Sequence, residues 1–209
     1  MNFLSYELAS MHRFPSTKPR ILIKSFVNFA HARIVIDCTE IFLKQPSALL
    51  SRKHLFSNYK HLNTMKFLVG ISPSGAILYV SDMWGGRASD NKITQECGLI
   101  RLLSLGQDVM ADRGFTVDLL QAEKGSRLHV PAFLGSKWTQ LTASEVTQSR
   151  RISEAHIHIE RAIERIKEFR ILCGEVEVPL FHVLEQTFQV CTYLTNFQRP
   201  IVSDVIYAS

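Results

Sequence analysis

Apolar and polar positions along the chain follow two different rhythms, and the changes between them mark out the elements. Short uninterrupted apolar runs come first: Ile34-Val35-Ile36 within Arg33 to Asp37, then Phe67 to Ser72 and Ala76 to Ser81. Runs this brief, bounded by turn residues, predict strands. Pro73-Ser74-Gly75 between the last two has the chemistry of a short β-hairpin turn. The three runs therefore predict an antiparallel set, with Phe42-Leu43 continuing the first strand or pairing with it after an acidic turn.

A helical rhythm follows. Gly85-Gly86 marks a loop, and Ser89-Asp90 caps a predicted helix from Asn91 to Ser104 whose stripe is Ile93, Cys97, Ile100 and Leu103. Val109 to Asp112 predicts a strand, Val117 to Glu123 a short helix, and Arg127 to Val130 a strand ended by Pro131. From Ala143 to Leu172 there is no Gly or Pro, and Thr142-Ala143-Ser144-Glu145 reads as a capping box opening one long helix or two in series. Ile152, Ala155, Ile159, Ala162, Ile166 and Phe169 recur at spacings of three and four, giving that segment one face to pack on a sheet. A last helix is predicted from Leu180 to Phe197. Helices alternating with strands after a hairpin imply an α/β fold, a mixed sheet with helices on both faces.

Length and composition narrow the picture modestly. The 209 residues suit one domain with a small appendage, and a hydrophobic share of 46% is globular. A net charge of +5 favours a polyanionic partner. The four cysteines form no CxxC pair, which argues against a disulfide framework or a zinc module and for a reducing compartment. No apolar run approaches the ~20 residues that span a bilayer, so a membrane partner is not expected. Met1 to Phe14 is interrupted by Glu7, His12 and Arg13 and makes no signal peptide.

The candidate chemistry lies in three acids. Asp37 closes Ile34-Val35-Ile36, Asp112 closes the run ending at Ala111, and Glu160 rides on the long helix at the edge of its apolar stripe. Singly, the two aspartates read as turn residues and Glu160 as an exposed helical glutamate. Together they make a carboxylate set suited to a hard ion, Mg²⁺ or Mn²⁺, that keeps several waters and is completed by substrate phosphates. Phosphodiester chemistry follows from that. Glu164 and Glu154 are alternative helical acids, while Glu40 reads as a turn or edge residue and Asp90 as an N-cap near the expected mouth. Lys60, Lys66, Arg87, Arg113, Arg161 and Lys167 lie near the acids and are candidates for DNA phosphates. His156 and His158 next to Glu160 form a His-x-His-x-Glu run whose members read as scattered round different faces of the helix, which argues against a shared zinc.

At these residues the chain resembles a known family. Ile36-Asp37-Cys38-Thr39-Glu40-Ile41, the stretch Ser57 to Ser72, Trp84-Gly85-Gly86-Arg87-Ala88-Ser89-Asp90, Met110-Ala111-Asp112-Arg113-Gly114-Phe115 and the stretch His158 to Lys167 closely resemble, in this order, the DDE transposase domains of the PIF/Harbinger type. The resemblance implies a ribonuclease-H-like sheet and a triad mapping to Asp37, Asp112 and Glu160. It also implies Mg²⁺- or Mn²⁺-dependent cleavage of DNA, strand transfer in a full transposase, and a nuclear setting, with the cytoplasm as the other option.

Residues 1–30 then read as a leader or the remnant of an upstream domain, 31–200 as the catalytic domain and 201–209 as a tail. Relatives carry a helix-turn-helix or zinc finger before the catalytic part. Met1 to Ala30 has neither the length nor the Cys/His spacing for one, so a separate sequence-specific DNA-binding protein is an expected partner. The rival reading is a domesticated domain that binds DNA or protein without cutting.

Overall fold

A twelve-residue strand, β2 (Ala32–Leu43), organises the molecule. The computed structural model describes residues 4, 6–8, 21–29, 31–44, 57, 60, 62–115, 125–132, 140, 142–202 and 205–207. β2 pairs antiparallel with β3 (Thr64–Ile71) from Val35 opposite Ile71 to Phe42 opposite Thr64. The first strand therefore does not stop at Asp37. Ile41 and Leu43, buried on the same face as Val35, carry the apolar alternation past the polar residues, and β3 supplies backbone partners along the way.

The predicted hairpin forms. β3 turns through Pro73-Ser74-Gly75 into β4 (Ile77–Val80), with Gly75 at φ 87°, a conformation that glycine adopts without a Cβ penalty. Asn196 covers the outer edge of β4, its side chain accepting from Ile77 N at 2.8 Å and donating to Ile77 O at 2.9 Å. On the other side of β2 run two parallel strands, β6 (Asp108–Met110) and β7 (Leu128–His129), while β5 (Trp84–Gly85) adds to β3 and β8 (Glu175–Val176) to the far end of β2. The mixed sheet and its antiparallel portion match the expected class.

Helices cover both faces. α1 (Asp90–Glu96) and α2 (Leu99–Leu102) lie on one side, over Ile34, Ile36, Leu68 and Val109. The sequence predicts one helix here. Gly98 breaks it, at φ 86°. The opposite face carries α3 (Ala143–Lys167) and α4 (Phe181–Thr195). α3 opens with the predicted box: Glu145 N donates to Thr142 Oγ1 at 3.3 Å and Thr142 N donates to Glu145 Oε2 at 2.8 Å. It is a single helix that ends at Lys167, and Arg170–Leu172 form a separate 3-10 turn before Gly174. Its stripe from Ile152 to Ile166 is buried against Val35, Val69 and Met110. α4 docks through Phe188, whose ring stacks on Phe67 with centroids 3.9 Å apart.

Packed structure continues on either side of 31–200. Ile23, Phe26 and Phe29, in the expected leader, are buried, and β1 (Ile21–Ile23) pairs antiparallel with β9 (Val205–Tyr207) in the expected tail. The apolar triplet Ile21-Leu22-Ile23 finds a strand partner from the other end of the chain, which no local pattern announces. The predicted helix Val117 to Glu123 lies outside the described residues. No helix among the described residues is long and apolar enough to cross a membrane.

Candidate active site

Asp37 sits in the middle of β2, on the face covered by α3. Alternation fixes this: Val35 and Ile41 belong to the α3-side core, Ile34 and Ile36 to the other. β6 lies parallel to β2 with Val35 opposite Met110. Two residues on from these stand Asp37, within β2, and Asp112, just past the end of β6. Met110 is also on the α3 side and Val109 and Ala111 are not, so the alternation carried one step past β6 gives Asp112 the face of Asp37. The two acids are electrostatic neighbours, Asp112 acting on Asp37 to raise its pKa.

Glu160 reaches the same place from above. It shares with Asp37 the wall of a cleft of about 610 Å³, which also includes Glu164, Lys60, Lys66 and Lys167. The Glu160 side chain is 58% exposed, with the buried His156 one turn earlier placing Nδ1 3.5 Å from Glu160 Oε1. His158 points elsewhere, its Nε2 3.0 Å from Ser25 Oγ and its ring against Phe26. Asp112 is exposed beside Asp37 and is not part of the cleft wall.

Burial pushes the Asp37 carboxyl up to about 6, with Asp112 and Asp90 adding to the rise and His156 and the Cys38 N–H opposing it. The Cys38 N–H donates to Asp37 Oδ1 at 2.8 Å. A carboxylate in this position gains from a cation. Burial, then Asp90 and Asp37, push the neighbouring Cys38 thiol far above its ordinary range, so no thiolate is available as a ligand.

The donors fit a hard divalent ion in kind: carboxylate oxygens only, one of them poorly solvated. Among the described residues no three His, Cys, Asp or Glu side chains are gathered closely enough to hold an ion by themselves. An ion of the Mg²⁺ type does not require such a cage, because it binds through one or two carboxylates, several waters and substrate phosphates.

The basic candidates divide. Lys60, Lys66 and Lys167 line the cleft, whereas Arg87, Arg113 and Arg161 are exposed outside its wall. Lys66 is turned inward, 3.1 Å from Asp90 Oδ1 and 3.7 Å from Glu40 Oε1. Burial, with Lys60 alongside, pulls the Lys167 ammonium below its ordinary range against the pull of Glu40 and Asp37. Sequence reading treats Glu40 as a turn or edge residue and Asp90 as a helix cap. Glu40 is instead a mid-strand residue accepting from Thr64 Oγ1 at 2.7 Å, and Ser89 is the cap of α1, leaving the Asp90 carboxylate free for Lys66. The i to i+4 spacing of His156 and Glu160 was a legible signal of their contact, but the burial of His156 was not.

A family model described as DDE superfamily endonuclease matches residues 36–196. No match was found among curated proteins or among solved structures. The matched span includes all three acids. The sheet, its hairpin and the helices on both faces agree with a ribonuclease-H-like nuclease fold.

Proposed function

Because the chain belongs to the DDE superfamily of endonucleases, we propose that it is the catalytic domain of a transposase of the PIF/Harbinger type, cutting DNA with divalent ions held by Asp37, Asp112 and Glu160. The observations that support this most are the parallel β2–β6 register, with Val35 opposite Met110 two residues before Asp37 and Asp112, and the cleft wall that Glu160 shares with Asp37. Asp37, Asp112 and Glu160 would hold the ions, with Asp37 as the carboxylate they would share. When bound, Mg²⁺ or Mn²⁺ supplies Lewis-acid activation of water and stabilises the leaving oxygen.

The protein's own part is positioning and charge. Lys60 and Lys167 present ammonium groups to phosphates entering the cleft, and exposed Arg87, Arg113 and Arg161 extend the basic surface outside it. Hydrolysis breaks the P–O3′ bond, leaving the water oxygen on a 5′-phosphate and freeing a 3′-hydroxyl; in strand transfer that hydroxyl attacks a phosphodiester of a second DNA, whose own 3′-oxygen leaves. A nuclear location and a separate sequence-specific DNA-binding partner complete the proposal.

Supercoiled plasmid incubated with the purified chain in Mg²⁺ or Mn²⁺ tests it. The expected result is nicked product with polymerase-extendable 3′-hydroxyl ends, abolished by EDTA. DNA binding without nicking under any ion would favour the domesticated, non-cutting reading instead.

A further inference from the structure

Lys66 projects from the face of the sheet opposite Asp37, yet its ammonium enters the same cleft. The β2–β3 register sets it across from Glu40, and the start of α1 brings Asp90 to it. Both side chains of the Lys66–Glu40 pair are nearly buried, at 12% and 10% exposure. Glu40 is fixed further by Thr64 Oγ1 and by Ser57 Oγ, which donates to Oε1 at 3.2 Å. The ammonium therefore occupies the position a cation would take between two carboxylates.

Those carboxylates stand close to the centre of the proposed chemistry. Asp90 is near enough to Asp37 to act on its charge, and Glu40, although on the other face of β2, lines the same cleft as Asp37 and Glu160. Left without Lys66, two further sets of hard oxygen donors would compete for divalent ions. We propose that Lys66 is an internal counter-ion, a positioning residue that keeps Glu40 and Asp90 out of the ions' coordination and so fixes how many divalent ions the cleft takes. This rests on the metal-dependent reading of the cleft. It also means that the Lys66 charge is spent inside the protein and not on DNA.

The test counts bound Mn²⁺ by electron paramagnetic resonance at fixed free Mn²⁺, in the wild type, Lys66→Met, Lys66→Arg and the triple variant Glu40→Gln/Lys66→Met/Asp90→Asn. One additional Mn²⁺ per chain is expected in Lys66→Met, with the wild-type count kept by Lys66→Arg and restored in the triple variant. An unchanged count in folded Lys66→Met overturns the proposal. If that variant does not fold, Glu40→Gln/Asp90→Asn serves instead: the uncompensated ammonium should weaken Mn²⁺ binding at least about fivefold, the scale of one unit charge about 8 Å from a divalent ion in water-like surroundings, and unaltered affinity overturns it. A wild type that binds no Mn²⁺ refutes the metal-dependent reading, while the difference between wild type and Lys66→Met still decides the role of Lys66.

Discussion

Asp112 follows Met110 by two residues, as Asp37 follows Val35, and the parallel pairing of Val35 with Met110 brings the two acids side by side. Burial makes Asp37 costly to ionise, and the like charges of Asp112 and Asp90 add to that cost.

That cost predicts a trade of stability for function. Asp37→Asn should lower Mg²⁺-dependent cleavage at least about 100-fold, because losing an ion ligand forfeits several kcal/mol of transition-state stabilisation. DNA affinity should stay close to wild type, since the basic surface is untouched. The same variant should be more stable than wild type in EDTA at neutral pH, by on the order of 2 kcal/mol, the burden of a buried carboxylate shifted from about 4 to about 6. Equal denaturation midpoints would show that Asp37 carries no such burden.

The pH dependence has a definite sign. The folded-state pKa of Asp37 lies above its unfolded value, so the folded state binds this proton more tightly. In EDTA the contribution of Asp37 to stability is fully present below about 4 and is lost as pH rises through about 6. Urea midpoints of wild type and Asp37→Asn should therefore converge between pH 7.5 and pH 4.5. A gap that stays constant over that window would contradict the assignment.

DNA binding should weaken steeply with salt, by about 0.9 in the log-log slope for each phosphate contact on duplex DNA. Lys60→Gln and Lys167→Gln should each reduce the slope by about that amount, with little discrimination between unrelated duplexes because phosphate contacts carry no base information. Titrations at several salt concentrations measure both. Slopes unchanged by either substitution would remove the cleft from the DNA path.

Close packing across the sheet sets another expectation. A Cβ at Gly70 would lie 2.4 Å from Ile34 Cδ1 and 3.3 Å from Tyr79 Cβ, and Ile34 is fully buried. Gly70→Ala should cost about 1–3 kcal/mol through overpacking, read as a lower thermal midpoint with the same sheet content. No change in the midpoint would mean that the core around Ile34 yields more readily than its packing implies.

Much of the fold can be read locally. The Pro73-Ser74-Gly75 hairpin, the Thr142/Glu145 box and the stripe on α3 each depend on residues a few positions apart, and the structure contains them. The full length of β2 and the β1–β9 pair were not legible, because a partner distant in sequence decides them. The site divides the same way. Two acids ending apolar runs and one on a helix stripe were visible, but the inward turn of Lys66 depends on Glu40 and Asp90 arriving from β2 and α1, and spacing along the chain does not carry that.

The central claim is that Asp37, Asp112 and Glu160 act as one ion-holding set, and the most direct test is plasmid nicking in Mg²⁺ by Asp37→Asn, Asp112→Asn, Glu160→Gln and the neighbouring Glu164→Gln. Each of the first three should lose at least about 100-fold in rate, while Glu164→Gln stays within a few-fold of wild type. Wild-type cleavage by any of the three, or a loss confined to Glu164→Gln, would contradict the account.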